Sequence, residues 1–331
     1  MPDTSPLSTR ARLELVAPGL ALCLIVAAAA RFLSEHYGAP QMLFALMLGM
    51  ALHFLMEEGR SAAGVDFAAR HILRIGVALL GVRITFDEVG DLGAPAVLWM
   101  AGGIVLTIGF GVLAVRLTGQ NRRFGLLSGG AVAICGASAA MAIAAVLPRD
   151  ARSERDTILV VVTVTALSTL AMIIYPTVTA ALGLDDRAAG IFLGGTIHDV
   201  AQVVGAGYSV SPETGDTATI AKLFRVAMLM PVVLIIGLGT RAGGGPKAPL
   251  PMFVLGFAAL VVANSLGAVP PVAAEWLSTV SGWCLVTAIA ALGIKTSLKA
   301  LFEVGSAPLL LLLGETLVLA LWVGLGLGLG V

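Results

Sequence analysis

Polar residues that can exchange protons or hold ions interrupt an apolar stretch between Gly190 and Arg225 of this chain. They follow a glycine pair, Gly194 and Gly195, and they are Thr196, His198, Asp199 and Gln202. Histidine titrates near neutral pH, so the adjacent His198 and Asp199 could hold a coupling proton or ion between them. An ionisable side chain at membrane depth is costly unless it is used. We therefore predict a functional site here, the alternative being a polar network that only holds helices together.

Two cations follow in the next apolar run. Lys222 and Arg225 are three residues apart, so a helix would place them on one face. They could pair with Asp199, Asp216 or Glu213, they could extend to the membrane surface, or they could bind an anionic substrate. We predict substrate binding for both, because Arg225 lies deeper in the run.

An earlier segment repeats the glycine pair in the sequence SGGAVAICGASAA. Its candidate substrate-binding residues are small, and they are Ser128, Gly129, Gly130, Cys135, Gly136 and Ser138. Such residues suit a helix that is interrupted at membrane depth, where freed N–H and C=O groups line a cavity. Two half-helix N-termini aimed at one point would attract an anion. A packing seam of small residues is the alternative. In the later stretch Gly194, Gly195, Thr196 and Gln202 are the matching candidates.

The composition places these segments in a membrane. Of the 331 residues, 58% are hydrophobic and 12% are charged, whereas soluble domains carry about a quarter charged residues. The apolar segments are 15–33, 40–56, 68–82, 95–116, 124–147, 157–183, 188–207, 217–239, 251–268, 276–294 and 307–330. We predict an all-α polytopic membrane protein, with a polar N-terminal tail (1–14) and one transmembrane transporter domain (15–331).

Two internal repeats set the topology. The first pairs Gly81–Phe86 with Gly293–Leu298, and the second pairs Ser128–Ala140 with Leu193–Val204. If all eleven segments cross, the first pair is inverted and the second is not. Both pairs become inverted if 124–147 and 188–207 are re-entrant hairpins.

This topology is an inverted-repeat secondary-transporter fold of about 9–11 membrane segments, two of them broken or re-entrant. Its repeat-related elements are 68–183 and 188–331. With a cytoplasmic N-terminus, the hairpins place fifteen Lys and Arg residues inside and three outside, whereas eleven crossings place thirteen and five. The positive-inside rule therefore favours the hairpins.

Several classes of function are disfavoured. The net charge is zero, so no nucleic-acid partner is expected. The His198–Asp199 pair has no further histidine or cysteine at ligand spacing, so neither a metal site nor a cofactor is predicted. No nucleophile–base pair suggests an enzyme. Glu315 lies in an apolar run, where a helix-packing hydrogen bond explains it as well as a function does.

Three motifs, GGAVAICGASAAMAIAAVLP, GGTIHDVAQVVGAG and AALGIKTSL, resemble the YeiH-like (UPF0324-type) sulfate exporter family of bacterial proteins. The likeness covers nearly the whole chain after residue 15. It implies a multi-pass protein of the bacterial cell inner membrane, in the wider superfamily of cation/proton antiporters and anion transporters.

We therefore expect a secondary transporter that exports a small inorganic or sulfonate anion, such as sulfate, by alternating access. H⁺ or Na⁺ would be the coupling ion and the lipid bilayer the surrounding partner. One alternative is a Na⁺- or H⁺-coupled carrier of another substrate, in which Asp199 binds the cation directly. Another is a non-transporting structural or sensor subunit. The chain is compatible with a homodimer.

Overall fold

The computed structural model describes residues 9–38, 40–57, 59–148, 151–239, 252–296 and 306–330, and every regular element in this part is a helix. The helices before the first predicted hairpin are α1 Thr9–Tyr37, α2 Gln41–Ala51, α3 Phe54–Glu57, α4 Ala62–Phe67, α5 Leu73–Leu80, α6 Phe86–Asp91 and α7 Ala94–Thr118. Those that follow are α8 Arg122–Ala133, α9 Ala137–Val146, α10 Ser153–Ala181, α11 Asp186–Thr196, α12 Val200–Val210, α13 Pro212–Ala227, α14 Leu229–Gly239, α15 Met252–Ser265, α16 Pro271–Lys295 and α17 Ser306–Gly328. A π-helical turn, Ala68–Ile72, joins α4 to α5. The predicted all-α class is confirmed.

Six stretches within the described residues are long and apolar enough to cross a bilayer, which makes the chain a multi-pass membrane protein. They are Glu14–Tyr37, Ala94–Thr118, Ser153–Ala181, Pro212–Gly239, Pro271–Lys295 and Ser306–Gly328. The helix α1 begins at Thr9, within the predicted polar tail 1–14, and its apolar span begins at Glu14. Residues 1–8 of that tail lie outside the described residues.

The segment predicted at 124–147 folds back on itself. Asn121 caps α8 by accepting from the Phe124 N–H (2.8 Å), and the helix ends at Ala133. Gly136 then adopts φ +63°, a left-handed conformation that glycine tolerates, and α9 begins directly after it. At the other end, Arg123 Nε donates to the Pro148 carbonyl (3.0 Å). The two ends of this pair of helices, which we call hairpin 1, therefore lie at one membrane face.

The segment predicted at 188–207 does the same, and we call it hairpin 2. Asp185 caps α11 by accepting from the Ala188 N–H (2.7 Å), and Asp199 caps α12 by accepting from the Ala201 N–H (2.8 Å). Ser211, directly after α12, donates from Oγ to Asp186 Oδ1 (2.7 Å) at the start of α11. Both ends of hairpin 2 are therefore together as well.

The two hairpins enter from opposite faces. The span that contains α13 and α14 starts at Pro212, beside the base of hairpin 2. Near its other end, a Cβ at Gly237 would lie 3.7 Å from Val146 Cβ, at the base of hairpin 1. One crossing thus separates the two bases. We call the surface at the base of hairpin 1 the first face and the opposite surface the second face.

The two glycines that open the first repeat pair make matching contacts. A Cβ on Gly81 would overlap the Phe257 carbonyl of α15, and a Cβ on Gly293 would overlap the Leu46 carbonyl of α2. Each glycine thus lets a shorter helix approach closely, as small residues do in membranes. Ser297 and Leu298, the end of the second copy, lie outside the described residues, and the inverted-repeat relation stays a prediction.

Candidate functional site

The buried cations of α13 hold the tips of both hairpins. Lys222 Nζ donates to the Ile134 carbonyl of hairpin 1 (2.5 Å) and to the Ile197 carbonyl of hairpin 2 (2.9 Å). Arg225 donates to four main-chain carbonyls, those of Val132, Ala133, Gly194 and Ile197, at 2.9 to 3.0 Å. These oxygens end α8 and α11, where the helix dipole is negative. The two cations therefore neutralise both C-terminal helix ends within the membrane.

Two interpretations of these cations were wrong. Lys222 is 0% and Arg225 is 1% exposed, so neither extends to the membrane surface. No salt bridge joins either of them to a carboxylate in the described part of the chain. Main-chain carbonyls take the place of the predicted acidic partners, because two interrupted helices end within reach. Direct substrate binding by Lys222 and Arg225 stays a prediction.

His198 and Asp199 lie at the tip of hairpin 2 but have different partners. His198 Nδ1 lies 3.2 Å from the Val132 carbonyl oxygen, and Nε2 lies 3.1 Å from Thr316 Oγ1 of α17. The Asp199 carboxylate caps α12 instead. His198 itself precedes the helix that carries Gln202, because α12 begins only at Val200.

A cavity of about 860 Å³ reaches the hairpin tips from the side of the first face. Its inner wall contains Cys135, Ala137 and Ser138 of hairpin 1, together with Asp199 and its neighbours on α12. The lining continues along α9 as far as Ala145, one residue from the end of that helix. Most of the remaining wall is apolar, as in many small-molecule sites.

The N-termini of two half-helices reach this cavity, and they differ. The N-cap residue of α9 is Gly136, which has no side chain to cap the helix, so the first N–H groups at Ala137 and Ser138 carry the positive dipole end into the cavity. The N-cap residue of α12 is Asp199, whose carboxylate offsets the dipole end there.

Cations also line the outer part of the cavity. Arg70 and Arg74 lie on the π-helical turn and α5 and are exposed, while Lys295, at the end of α16, forms an ion pair with Asp66. Sequence reasoning missed these residues as site candidates. Their signal was the spacing of four between Arg70 and Arg74, which places both on one helical face of an apolar segment.

The predicted site residues fall into three groups. Those that line the cavity are Cys135, Ser138 and Asp199. Those at the tips beside it are Gly136, His198, Lys222 and Arg225. Those that lie in the packing between helices are Ser128, Gly129, Gly130, Gly194, Gly195, Thr196 and Gln202. The glycines of the last group pack closely against neighbouring elements, and substrate binding by this group stays a prediction.

The second face carries a polar cluster and, beside it, a smaller cavity of about 350 Å³ that Asp216 also lines. Arg83 Nη2 lies 3.4 Å from Asp216 Oδ2, and the Arg83 guanidinium stacks 5.4 Å from the centre of the Tyr208 ring. Tyr208 donates its hydroxyl hydrogen to Asp216 in a short bond. This cluster joins hairpin 2 to α13 and to the turn after α5.

Opposed hairpins whose tips meet at a cavity define a multi-pass membrane protein of transporter-like architecture. The chain belongs to the UPF0324 family of membrane proteins: the family model described as Conserved hypothetical protein 698 matches residues 18–312. It is 56% identical to the UPF0324 membrane protein TauZ of Paracoccus denitrificans over 96% of this chain and 97% of that protein. It is 55% identical to a UPF0324 membrane protein of Chlorobaculum tepidum, over 96% and 90% respectively. No solved structure matches the chain.

Proposed function

We propose that this protein is a secondary transporter that exports a small inorganic or sulfonate anion, such as sulfate, by alternating access. The observation that carries the proposal is the cavity at the meeting point of two opposed hairpins. Membrane transporters often place their substrate where interrupted helices meet near the midplane. The family-level likeness points to a transporter rather than an enzyme.

The uncapped end of α9 favours an anion as the substrate. An uncapped helix N-terminus offers free N–H groups and a partial positive charge, and this one opens into the cavity at Ala137 and Ser138. Arg70 and Arg74 add positive charge along the way in. Such charges raise the local concentration of an anion and speed its entry.

The two faces differ in their access to the hairpin tips. The larger cavity leads from the tips towards the first face, whereas the smaller cavity at the second face has no tip residue in its lining, and Arg83, Tyr208 and Asp216 hold hairpin 2 to its neighbours there. The charge count makes the first face cytoplasmic, with the N-terminus on the same side in the cell inner membrane. This conformation would load an anion from the cytoplasm, and opening at the second face would release it.

Asp199 is the best-placed carboxylate for coupling to H⁺ or Na⁺. It lines the cavity at the tip of hairpin 2, so an ion bound there would interact electrostatically with an anion at the N-terminus of α9. The same position supports the second candidate function, a carrier of another substrate in which Asp199 binds the cation directly. A purely structural subunit gives no role to the cavity. A homodimer stays a prediction.

Flux of labelled sulfate from proteoliposomes, with and without a pH gradient, tests the proposal. We expect Asp199→Asn to reduce gradient-driven flux at least about tenfold, equivalent to about 1.4 kcal/mol. Asparagine also caps helices, so folding should be retained. Glu275→Gln is the matched control, because Glu275 is an exposed carboxylate outside the cavity lining. Unchanged flux in Asp199→Asn would contradict the coupling role, and no flux of any oxyanion or sulfonate would contradict anion transport.

A further inference from the structure

A carboxylate is buried in the membrane region away from the cavity. Glu315 of α17 is 0% exposed, and it is not part of the cavity wall. Ser128 of hairpin 1 donates from Oγ to Glu315 Oε1 (2.6 Å). The other oxygen, Oε2, has no hydrogen-bond partner among the described residues. A buried ionised carboxylate with an unbonded oxygen is costly, whereas the acid form carries no charge.

The surroundings of Glu315 are built to admit it. A Cβ on Gly111 of α7 would overlap both Glu315 Oε1 and the Gly125 carbonyl of hairpin 1, so a larger residue there would displace the carboxyl group or the hairpin. Thr107, one helical turn before Gly111, is likewise buried, and its hydroxyl lacks a partner in the described part of the chain. Two polar groups without hydrogen-bond partners in the described residues, Thr107 Oγ1 and Glu315 Oε2, thus lie on the neighbouring helices α7 and α17.

No charged partner balances Glu315 within the described residues. Helix α17 packs against α7, α8, α10 and α11. The titratable groups on those helices are Arg116, Arg122, Arg123, Glu154, Arg155, Asp156, Tyr175, Asp186 and Arg187. All but Tyr175 lie at helix ends, near the membrane faces. Tyr175 packs instead against the Phe192 ring, 5.5 Å between centres. His198 comes near by a different route, through its contact with Thr316, the residue after Glu315.

The carboxyl group is connected to both hairpin tips. Ser128 lies four residues before Val132, whose carbonyl accepts from Arg225 (2.9 Å) and lies 3.2 Å from His198 Nδ1. On the other side, Thr316 Oγ1 lies 3.1 Å from His198 Nε2. A change of charge at Glu315 would therefore act on the first arm of hairpin 1 and on the tip of hairpin 2.

We propose that Glu315 is a proton-binding site separate from the anion cavity, and that its occupancy sets how hairpin 1 packs against α17. One O–H bond forms when the carboxylate takes up a proton, and no bond breaks. Proton binding stands on its own, whereas the link to transport rests on the proposed anion carrier. The ionised form needs a hydrogen-bond donor beside Oε2 and therefore destabilises the packing of α17 against α7 and hairpin 1. The acid form carries no charge and allows this packing.

An infrared pH titration of the full-length protein in lipid tests the site without any substrate. We expect a carboxylic-acid C=O band that appears on acidification in the wild type and in Asp199→Asn, and is lost in Glu315→Gln. Glutamine keeps the shape and can still accept from Ser128. In Ser128→Ala the band should remain but shift in frequency, because the hydrogen bond to Oε1 is gone. This second variant decides the matter should Glu315→Gln not fold.

A band unaffected by both Glu315→Gln and Ser128→Ala would overturn the proposal. So would a band that sodium abolishes at constant pH, since the site would then hold sodium. In proteoliposomes, Glu315→Gln should still exchange labelled sulfate. Its accumulation of sulfate driven by a pH gradient should be at least about tenfold lower than that of the wild type. If wild-type protein carries no sulfate, the proposed function fails for sulfate while the infrared result still decides the proton site.

Discussion

The tips of the two hairpins have the same backbone design and opposite chemistry. In each, a first arm ends in carbonyls that Lys222 and Arg225 neutralise. The second arm begins at the cavity, with Gly136 as the N-cap in hairpin 1 and Asp199 as the N-cap in hairpin 2. The first tip thus offers a positive dipole end, and the second offers a carboxylate. In the proposed transport, this one cavity would hold the anion and its coupling ion side by side.

The shared part of the design should show the largest effect. Arg225→Leu removes a donor from four buried carbonyls, of which Ile197 keeps Lys222 as its donor, so we expect the free energy of unfolding to fall by about 3 to 5 kcal/mol. Arg225→Lys keeps the charge but loses the forked arrangement of donors. Its free energy of unfolding should lie between those of the wild type and Arg225→Leu. Unfolding of the purified protein in detergent measures this.

Arg116→Leu is the control for the charge itself, because Arg116 is exposed at the end of α7. If Arg225→Leu unfolds like the wild type, the cations do not hold the tips, and the comparison between the hairpins loses its common basis.

A substitution at Gly136 tests whether the tip of hairpin 1 requires a glycine. Its φ of +63° with ψ of −127° is nearly restricted to glycine, so Gly136→Ala should destabilise by about 1 to 3 kcal/mol. Space is available, since the nearest atom to an added Cβ is 3.8 Å away. Gly119→Ala is the matched control: its φ of +67° with ψ of 14° is ordinary left-handed helix in open space. A smaller loss at Gly136 than at Gly119 would contradict a strained tip.

The cations along the cavity should contribute least. Replacing Arg70 and Arg74 together by glutamine should raise the KM for the anion about threefold at low salt, with little change in stability. The effect should shrink at high salt, because the screening length falls to about 3 Å at 1 M. Arg60→Gln, an exposed arginine outside the cavity lining, is the control. Equal effects of Arg60 and of the Arg70–Arg74 pair would mean that only the net surface charge matters.

Much of the fold could be predicted from the sequence, because apolar length and small residues determine membrane helices. The glycine pairs and the conflict between the two repeats predict the hairpins. The asymmetry of the N-caps was also present in the sequence, in Gly136 and Asp199. The sequence does not show which residues pair over long distances. Nothing near Lys222 or Arg225 in the chain indicates that their hydrogen-bond acceptors are carbonyls of two other helices.

The site was only partly predictable for the same reason. Ser128 was assigned to substrate binding because it stands in the glycine-rich element, yet it faces Glu315, 187 residues away. Arg70 and Arg74 entered the sequence analysis only through the count of inside charges, although the cavity extends to them. Residue types identified which elements matter, and tertiary packing decided which face of each element reaches the cavity.

Labelling from each side of the membrane tests the opposed hairpins most directly. In a cysteine-free background, single cysteines would replace Arg122 and Ala151 around hairpin 1, and Asp185 and Glu213 around hairpin 2, all exposed positions. We predict that a membrane-impermeant maleimide labels the first two from one face only and the last two from the opposite face only. If the cysteines at positions 122 and 151 are labelled from opposite faces, or if all four cysteines are labelled from one face, the hairpins are not opposed.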